Sequence, residues 1–248
     1  MTAVVRSCIV RRHTLTCLAS ATLLAAALIA PAQAGEFAAS TDLSSLDGII
    51  GYRLDGAFAI DQSGAAVSRA GDINGDGYED QLIGAFGRDG LGYDAGTAYV
   101  EFGASSHGPS GMLGNSGLAI NGAAGNDFTG YSVSAAGDFN GDGFDDVIVG
   151  AYRHNVGVSM QGAAFLVFGA REFLAPDFDL SNLHANEGLQ LNGVALNDIA
   201  GFSVGGSSDV NGDGLDDLII GSPWAASNTG AAYVVFGKAS NPGTMANL

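Results

Sequence analysis

Three segments of this 248-residue chain repeat a set of oxygen donors at fixed spacing. Asp72-Ile-Asn-Gly-Asp-Gly-Tyr-Glu-Asp80 recurs as Asp138-Phe-Asn-Gly-Asp-Gly-Phe-Asp-Asp146 and as Asp209-Val-Asn-Gly-Asp-Gly-Leu-Asp-Asp217. A tight turn brings the first, third and fifth residues of such a segment to one side, and glycine at the sixth permits the reversal. The carbonyl of the seventh can point inward, and the aspartate at the ninth closes the shell. The first loop therefore offers Asp72, Asn74, Asp76, the Tyr78 carbonyl and Asp80. The second offers Asp138, Asn140, Asp142, the Phe144 carbonyl and Asp146, and the third Asp209, Asn211, Asp213, the Leu215 carbonyl and Asp217. All are hard oxygen ligands with no His or Cys, which favours Ca²⁺ over zinc or copper, and a flexible loop suits it better than Mg²⁺. Three Ca²⁺ sites are expected. Two carboxylates ~4 Å apart at an effective dielectric near 20 repel by about 4 kcal/mol, and a divalent cation reverses that sign. Metal-free protein should be markedly less stable, with affinities on the order of 10⁻⁴–10⁻³ M as in extracellular modules. An EF-hand is excluded, because its twelfth position needs Glu before a helix and here holds Ile83, Val149 or Ile220 inside strand-like runs. A metal-free reading as three solvated turns fits poorly with three copies that keep every acid.

The segments that must position these loops repeat as well, at intervals of 66 and 71 residues. Upstream lie Gly64-Ala-Ala-Val-Ser68, Gly130-Tyr-Ser-Val-Ser134 and Gly201-Phe-Ser-Val-Gly205. Downstream come Gln81-Leu-Ile-Gly-Ala-Phe86, Val147-Ile-Val-Gly-Ala-Tyr152 and Leu218-Ile-Ile-Gly-Ser-Pro223. Then follow Thr97-Ala-Tyr-Val-Glu-Phe-Gly103, Ala163-Ala-Phe-Leu-Val-Phe-Gly169 and Ala231-Ala-Tyr-Val-Val-Phe-Gly237. A fourth motif, Gly117-Leu-Ala-Ile-Asn-Gly122, is matched by Gly188-Leu-Gln-Leu-Asn-Gly193 and, ahead of the first unit, by Gly51-Tyr-Arg-Leu-Asp-Gly56. Each unit reads as four short antiparallel strands bounded by Gly, Asn and Asp, the size of a propeller blade. The second strand is almost wholly apolar and should be buried on both faces, as between stacked blades. Small residues on the first suit a crowded central channel. No window shows a helical period free of glycine. The expected architecture is an all-β propeller of three blades, open or incomplete, with the acidic loops between first and second strands. Its expected divisions are 1–34 signal peptide, 35–60 lead-in and orphan outer strand, 61–127 blade 1, 128–198 blade 2, and 199–248 an incomplete blade 3.

These motifs resemble the FG-GAP repeats of integrin alpha-subunit β-propellers and their bacterial relatives. The resemblance rests on Gly130-Tyr-Ser-Val, on Asn-Gly-Asp-Gly in each loop, on Gly-Ala-Phe, Gly-Ala-Tyr or Gly-Ser-Pro after it, and on the closing Phe-Gly, and covers roughly residues 51 to 248. It implies a propeller with Ca²⁺ loops on one face, in a secreted or surface protein used for adhesion or ligand binding. Family propellers usually have seven blades. Phe86 and Tyr152 also stand where the family has proline. Three closures are open: the chain is the amino-terminal part of a longer protein, two or more copies form a ring through their open blade edges, or residues 51–56 complete blade 3.

Composition limits the partners. With 9 Lys+Arg against 26 Asp+Glu the net charge is −17, so the basic surface that nucleic acid or an anionic membrane requires is missing. Arg6, Arg11 and Arg12, the apolar run Leu18 to Ala30, and Ala32-Gln33-Ala34 read as a secretory signal peptide cleaved after Ala34. The run is shorter than the ~20 residues a span needs, and no later segment could cross a membrane. Cys8 and Cys17 lie in this leader, so no disulfide can hold the exported part.

Catalysis finds little support. Gly201-Phe-Ser-Val-Gly205 matches a nucleophile elbow in letters only, because Ser203 aligns with Ser132 and Ala66 on a repeated inner strand. His107, His154 and His184 read as exposed loop residues, and Trp224, Tyr99, Phe165 and Tyr233 as blade core. The expected function is a secreted, non-catalytic calcium-binding propeller for surface adhesion or binding of an extracellular protein or glycan. The alternative is an accessory propeller of a larger secreted hydrolase or lyase.

Overall fold

The computed structural model describes residues 40–239 apart from 109, 156–159, 172, 174 and 175. The expected signal peptide and the end of blade 3 lie outside them. Contacts divide the chain into Met1–Thr41 and Asp42–Leu248, and the second unit is nearly all β. A single strand, β1 (Arg53–Asp55), precedes β2 (Ala66–Gly71), β3 (Asp80–Ala85), β4 (Thr97–Glu101), β5 (Ser110–Met112) and β6 (Gly117–Asn121). Next come β7 (Ser132–Gly137), β8 (Asp146–Ala151), β9 (Ala163–Val167), β10 (Asp177–Asp179) and β11 (Gly188–Asn192), and finally β12 (Ser203–Ser208), β13 (Asp217–Ser222) and β14 (Ala231–Val235).

Three antiparallel meanders result. Blade 1 is β2-β3-β4-β6, blade 2 is β7-β8-β9-β11, and blade 3 is β12-β13-β14. Blade 1 also gains a fifth strand, because β10 from the blade 2 connection pairs parallel with β6. In the same way β5, from the blade 1 connection, pairs parallel with β1. The motif at residues 51–56 thus holds β1, which pairs with β5 as β6 pairs with β10. It lies beside β5 and not beside β14, which removes the closure of blade 3 by this segment.

The strands are where they are because their residues alternate between two blade-to-blade contacts. Every residue of β8 is buried, and β3 leaves only Gln81 exposed. One core lies between blades 1 and 2, with Leu82, Val100, Leu118 and Ile120 against Val147, Val149, Phe165 and Val167. A second joins blades 2 and 3 through Phe139, Ile148 and Leu166 against Leu218 and Ile220. The first strands approach closely, the Ala135 amide donating to Ser68 Oγ at 3.3 Å and the Gly206 amide to Ser134 Oγ at 3.3 Å. Only small side chains permit that approach.

Candidate metal centre

Each acidic loop begins at an irregularity. The pairing register slips between Arg69 and Gly71, between Ala135 and Gly137, and between Gly206 and Ser208. The last residue of each first strand has positive φ: 80° at Gly71, 64° at Gly137 and 60° at Ser208. Such a bulge bends the strand and aims the following aspartate out of the sheet.

Within the first loop the Asp72 carboxylate accepts from the Asp76 amide at 2.9 Å and the Gly77 amide at 2.9 Å. The Asn74 carbonyl oxygen accepts from the Asp76 amide at 2.9 Å, and Asp76 accepts from the Tyr78 amide at 2.9 Å. Asp80 bridges strands, accepting from the Ile73 amide at 3.1 Å and from the Gly103 amide at 2.8 Å. The second loop repeats this set on Asp138, Asn140, Asp142 and Asp146. The third repeats it on Asp209, Asn211, Asp213 and Asp217. Thus the four side-chain donors expected of each loop come from one turn and the strand that follows it. Among the described residues no group of three or more acidic, His or Cys side chains is already gathered as a metal cage. The carboxylates instead engage the loop's own amides, the nearest positive dipoles, and each carboxylate oxygen has a second lone pair to offer.

The donor set fits a hard divalent cation. Asp80, Asp146 and Asp217 are fully buried, while the other loop aspartates reach solvent. Burial pushes the Asp80 carboxyl up to about 6, and the charges of Asp76 and Asp72 add to the effect against the two amide bonds. Burial pushes Asp146 up to about 8, reinforced by Asp142 and Asp138. A buried carboxylate that resists ionisation beside two others is a site a cation relieves. At the exposed Asp209 the amide bond from Gly214 holds the carboxyl below its usual range.

The eighth position was not assigned a role by its spacing, yet it joins the blades. Asp145 Oδ2 accepts from the Asp72 amide at 2.8 Å, and Asp216 Oδ2 from the Asp138 amide at 3.1 Å. A Cβ on Gly71 would meet Asp145 at 2.3 Å, and one on Gly137 would meet Asp216 at 2.0 Å. The first and second loops are thus each latched by an acid of the next. The Ala170 amide donates to the Ile73 carbonyl at 2.9 Å and the Lys238 amide to Phe139 at 3.0 Å, completing the clamp. The adjacent pair Asp145/Asp146 therefore has divided duties, one inward to its own blade and one to the blade before.

Two other expectations change. His154 is buried, not exposed, with Nδ1 2.7 Å from Asp127 Oδ2 and Nε2 3.0 Å from Gln190 Nε2. Trp224 is not core, being 51% exposed, while Tyr99 and Phe165 are buried as expected. Ser203 lies on an antiparallel strand and forms no elbow. At the end of the blades away from the acidic loops, an aromatic cluster goes unforeseen. Phe86, Phe128, Tyr131, Tyr152 and Phe202 stand in successive ring contacts of 4.6–6.0 Å, with Arg153 over Phe128. Its signal was the aromatic residue recurring beside each Gly-x-Ser strand.

A blade-by-blade meander with latched acidic loops defines a β-propeller, and the comparisons agree with it. The FG-GAP repeat profile matches residues 129–167 and 200–235. Integrin alpha-5 of Xenopus laevis is 30% identical over 187 residues, covering 73% of this chain and 16% of that protein. Integrin alpha pat-2 of Caenorhabditis elegans is 34% identical over 99 residues, 40% of this chain and 7% of that protein. Integrin alpha ina-1 of the same organism is 33% identical over 122 residues, 48% of this chain and 10% of that protein. The chain carries FG-GAP repeats and is integrin alpha-like in sequence, and it spans a small part of these relatives.

Proposed function

We propose that this chain is an exported, calcium-binding propeller module of adhesion type, non-catalytic, with blades at 61–127, 128–198 and 199–248. The observation that carries the reading is the threefold repeat of an aspartate turn closed by a buried aspartate. Asp72, Asn74, Asp76, Asp80 and their counterparts would hold Ca²⁺, with the Tyr78, Phe144 and Leu215 carbonyls completing the shell. The ion would neutralise the clustered acids and stiffen the turn that the next blade latches. The opposite end, with its aromatic cluster, is the surface for an extracellular protein or glycan, since aromatic faces supply rigid contact area. An adhesion role fits what the comparisons are named for, the integrin alpha subunits.

Calorimetric titration of the chain with Ca²⁺ tests the reading. Three ions per chain are expected, with Asp146→Asn losing one. Absence of heat up to millimolar Ca²⁺ would sink it.

A further inference from the structure

The blades meet one another by the same surfaces at both internal joints; at the ends of the row the matching face of blade 3 is open, and that of blade 1 is open at Val67, while its Ile83 and Tyr99 are buried with Leu113 against Leu54 and Ala57. At the open face of blade 3, Val210, Ile219, Val234 and Phe236 are exposed large hydrophobics. Their counterparts in the repeat, Leu82, Ile148, Val100 and Leu166 among them, are buried against the following blade. At the open face of blade 1, Val67 is 69% exposed, whereas its counterparts Val133 and Val204 pack into the inter-blade cores. The two faces are complementary by the geometry of the internal joints.

The strands agree. β1 is a fourth strand, by motif and by its parallel pairing with β5, and has no third strand beside it. β14 is a third strand with no fourth strand beside it among the described residues.

The latch residues change together at the two open ends. The internal joints set Gly71 against Asp145 and Gly137 against Asp216, with the carboxylate in the space a Cβ would fill. Blade 3 has Ser208 at the glycine position, also at positive φ. Blade 1 has Glu79 at the aspartate position. A serine Cβ would collide with an aspartate there. The extra methylene of glutamate carries its carboxylate past that Cβ, where the serine hydroxyl can donate to it. Blade 1 also sets the exposed Arg69 where the later blades have Ala135 and Gly206.

We propose that two copies of this chain join head to tail into a six-bladed ring, the open face of blade 3 in each receiving the open face of blade 1 in the other. In this ring β1 lies along the other copy's β14, and Glu79 reaches the other copy's Ser208. Two copies close the ring within the usual four to eight blades, where three would need nine. The proposal stands on the faces and the latch, separately from what the acidic loops bind.

The test is cross-linking of the full chain with Cys8 and Cys17 replaced by serine. A Glu79→Cys chain and a Ser208→Cys chain, differently tagged, are mixed and mildly oxidised. The ring predicts a mixed pair in high yield, and no pair from either chain alone. Like-with-like pairs would mean a face-to-face dimer and overturn the proposal, as would a monomer by light scattering with no pair at all. In the otherwise unchanged protein, Val234→Glu should halve the mass seen by light scattering with unchanged far-UV circular dichroism, because Val234 is exposed in a single copy. A dimer undisturbed by this charge would also overturn the ring.

Discussion

At the scale of single residues, the buried aspartates decide how the molecule responds to pH. Asp80 and Asp146 hold their protons to higher pH when folded than the usual carboxylate, because burial penalises their charge. Between the usual carboxylate range and about 8, the folded chain binds protons that the unfolded chain has lost. Stability without metal must therefore fall as pH rises through that window. Urea midpoints in chelator at pH 5 and pH 8 check this: the midpoint at pH 8 should be lower, and an equal or higher one would contradict it. With Ca²⁺ present the trend should reverse, because ligand carboxylates must be ionised. The latch gives a second residue-level outcome. Gly137→Ala forces a Cβ into the Asp216 carboxylate and strains a left-handed backbone. A loss of about 1–3 kcal/mol is expected from chemical denaturation. Asp216→Ala should cost about 1.5–3 kcal/mol through the lost charge-assisted bond to the Asp138 amide.

At the scale of elements, the third strands of blades 1 and 2 each carry a buried aromatic residue, Tyr99 and Phe165. Phe165 is fully buried in the core shared by blades 1 and 2. Phe165→Ala should lose about 3–5 kcal/mol through the cavity it leaves. Trp224, the larger side chain, is half exposed in the turn after β13, so Trp224→Ala should change stability by only about 0.5 kcal/mol. Thermal melts of the two variants give the comparison, and equal losses would mean that the blade stacking is misassigned. The His154–Asp127 pair sits where the turn after β8 meets the lead-in of its own blade. The equivalent positions in the repeat hold Arg88 with Asp61 and the apolar Ala225 with Asp198, so the repeat keeps the buried acid while varying the residue opposite in the alignment.

At the scale of the whole molecule, cohesion comes from sheet stacking and from the loops, since no cysteine lies after residue 17. If the loops take Ca²⁺, chelation should lower the melting temperature by several degrees. A gain of 2.7 kcal/mol follows when free ligand exceeds Kd about a hundredfold. The check is calorimetry with and without chelator, and an unchanged midpoint would count against the metal. Because the loop of one blade is latched by an acid of the next, metal loss in one loop should loosen the neighbouring joint as well. Faster amide exchange at Asp72 and Asp138 in chelator would report it.

Much of this was legible in the residues. The repeat placed the strands, because β-branched runs between Gly and Asn turns have few alternatives. The aspartate spacing placed the donor turn, because Asp72, Asn74 and Asp76 cap amides two to five residues away. Such local geometry follows from neighbours along the chain. What lay out of reach depended on the approach of distant segments. Asp145 reads as one more loop acid until blade 2 sets it on the Asp72 amide, 73 residues away. His154 reads as a loop residue until Asp127 and Gln190 close over it, and Trp224 reads as core until its turn carries it outward. Periodicity states which side of a strand a residue occupies. Only the packed sheets decide what, if anything, lies against that side.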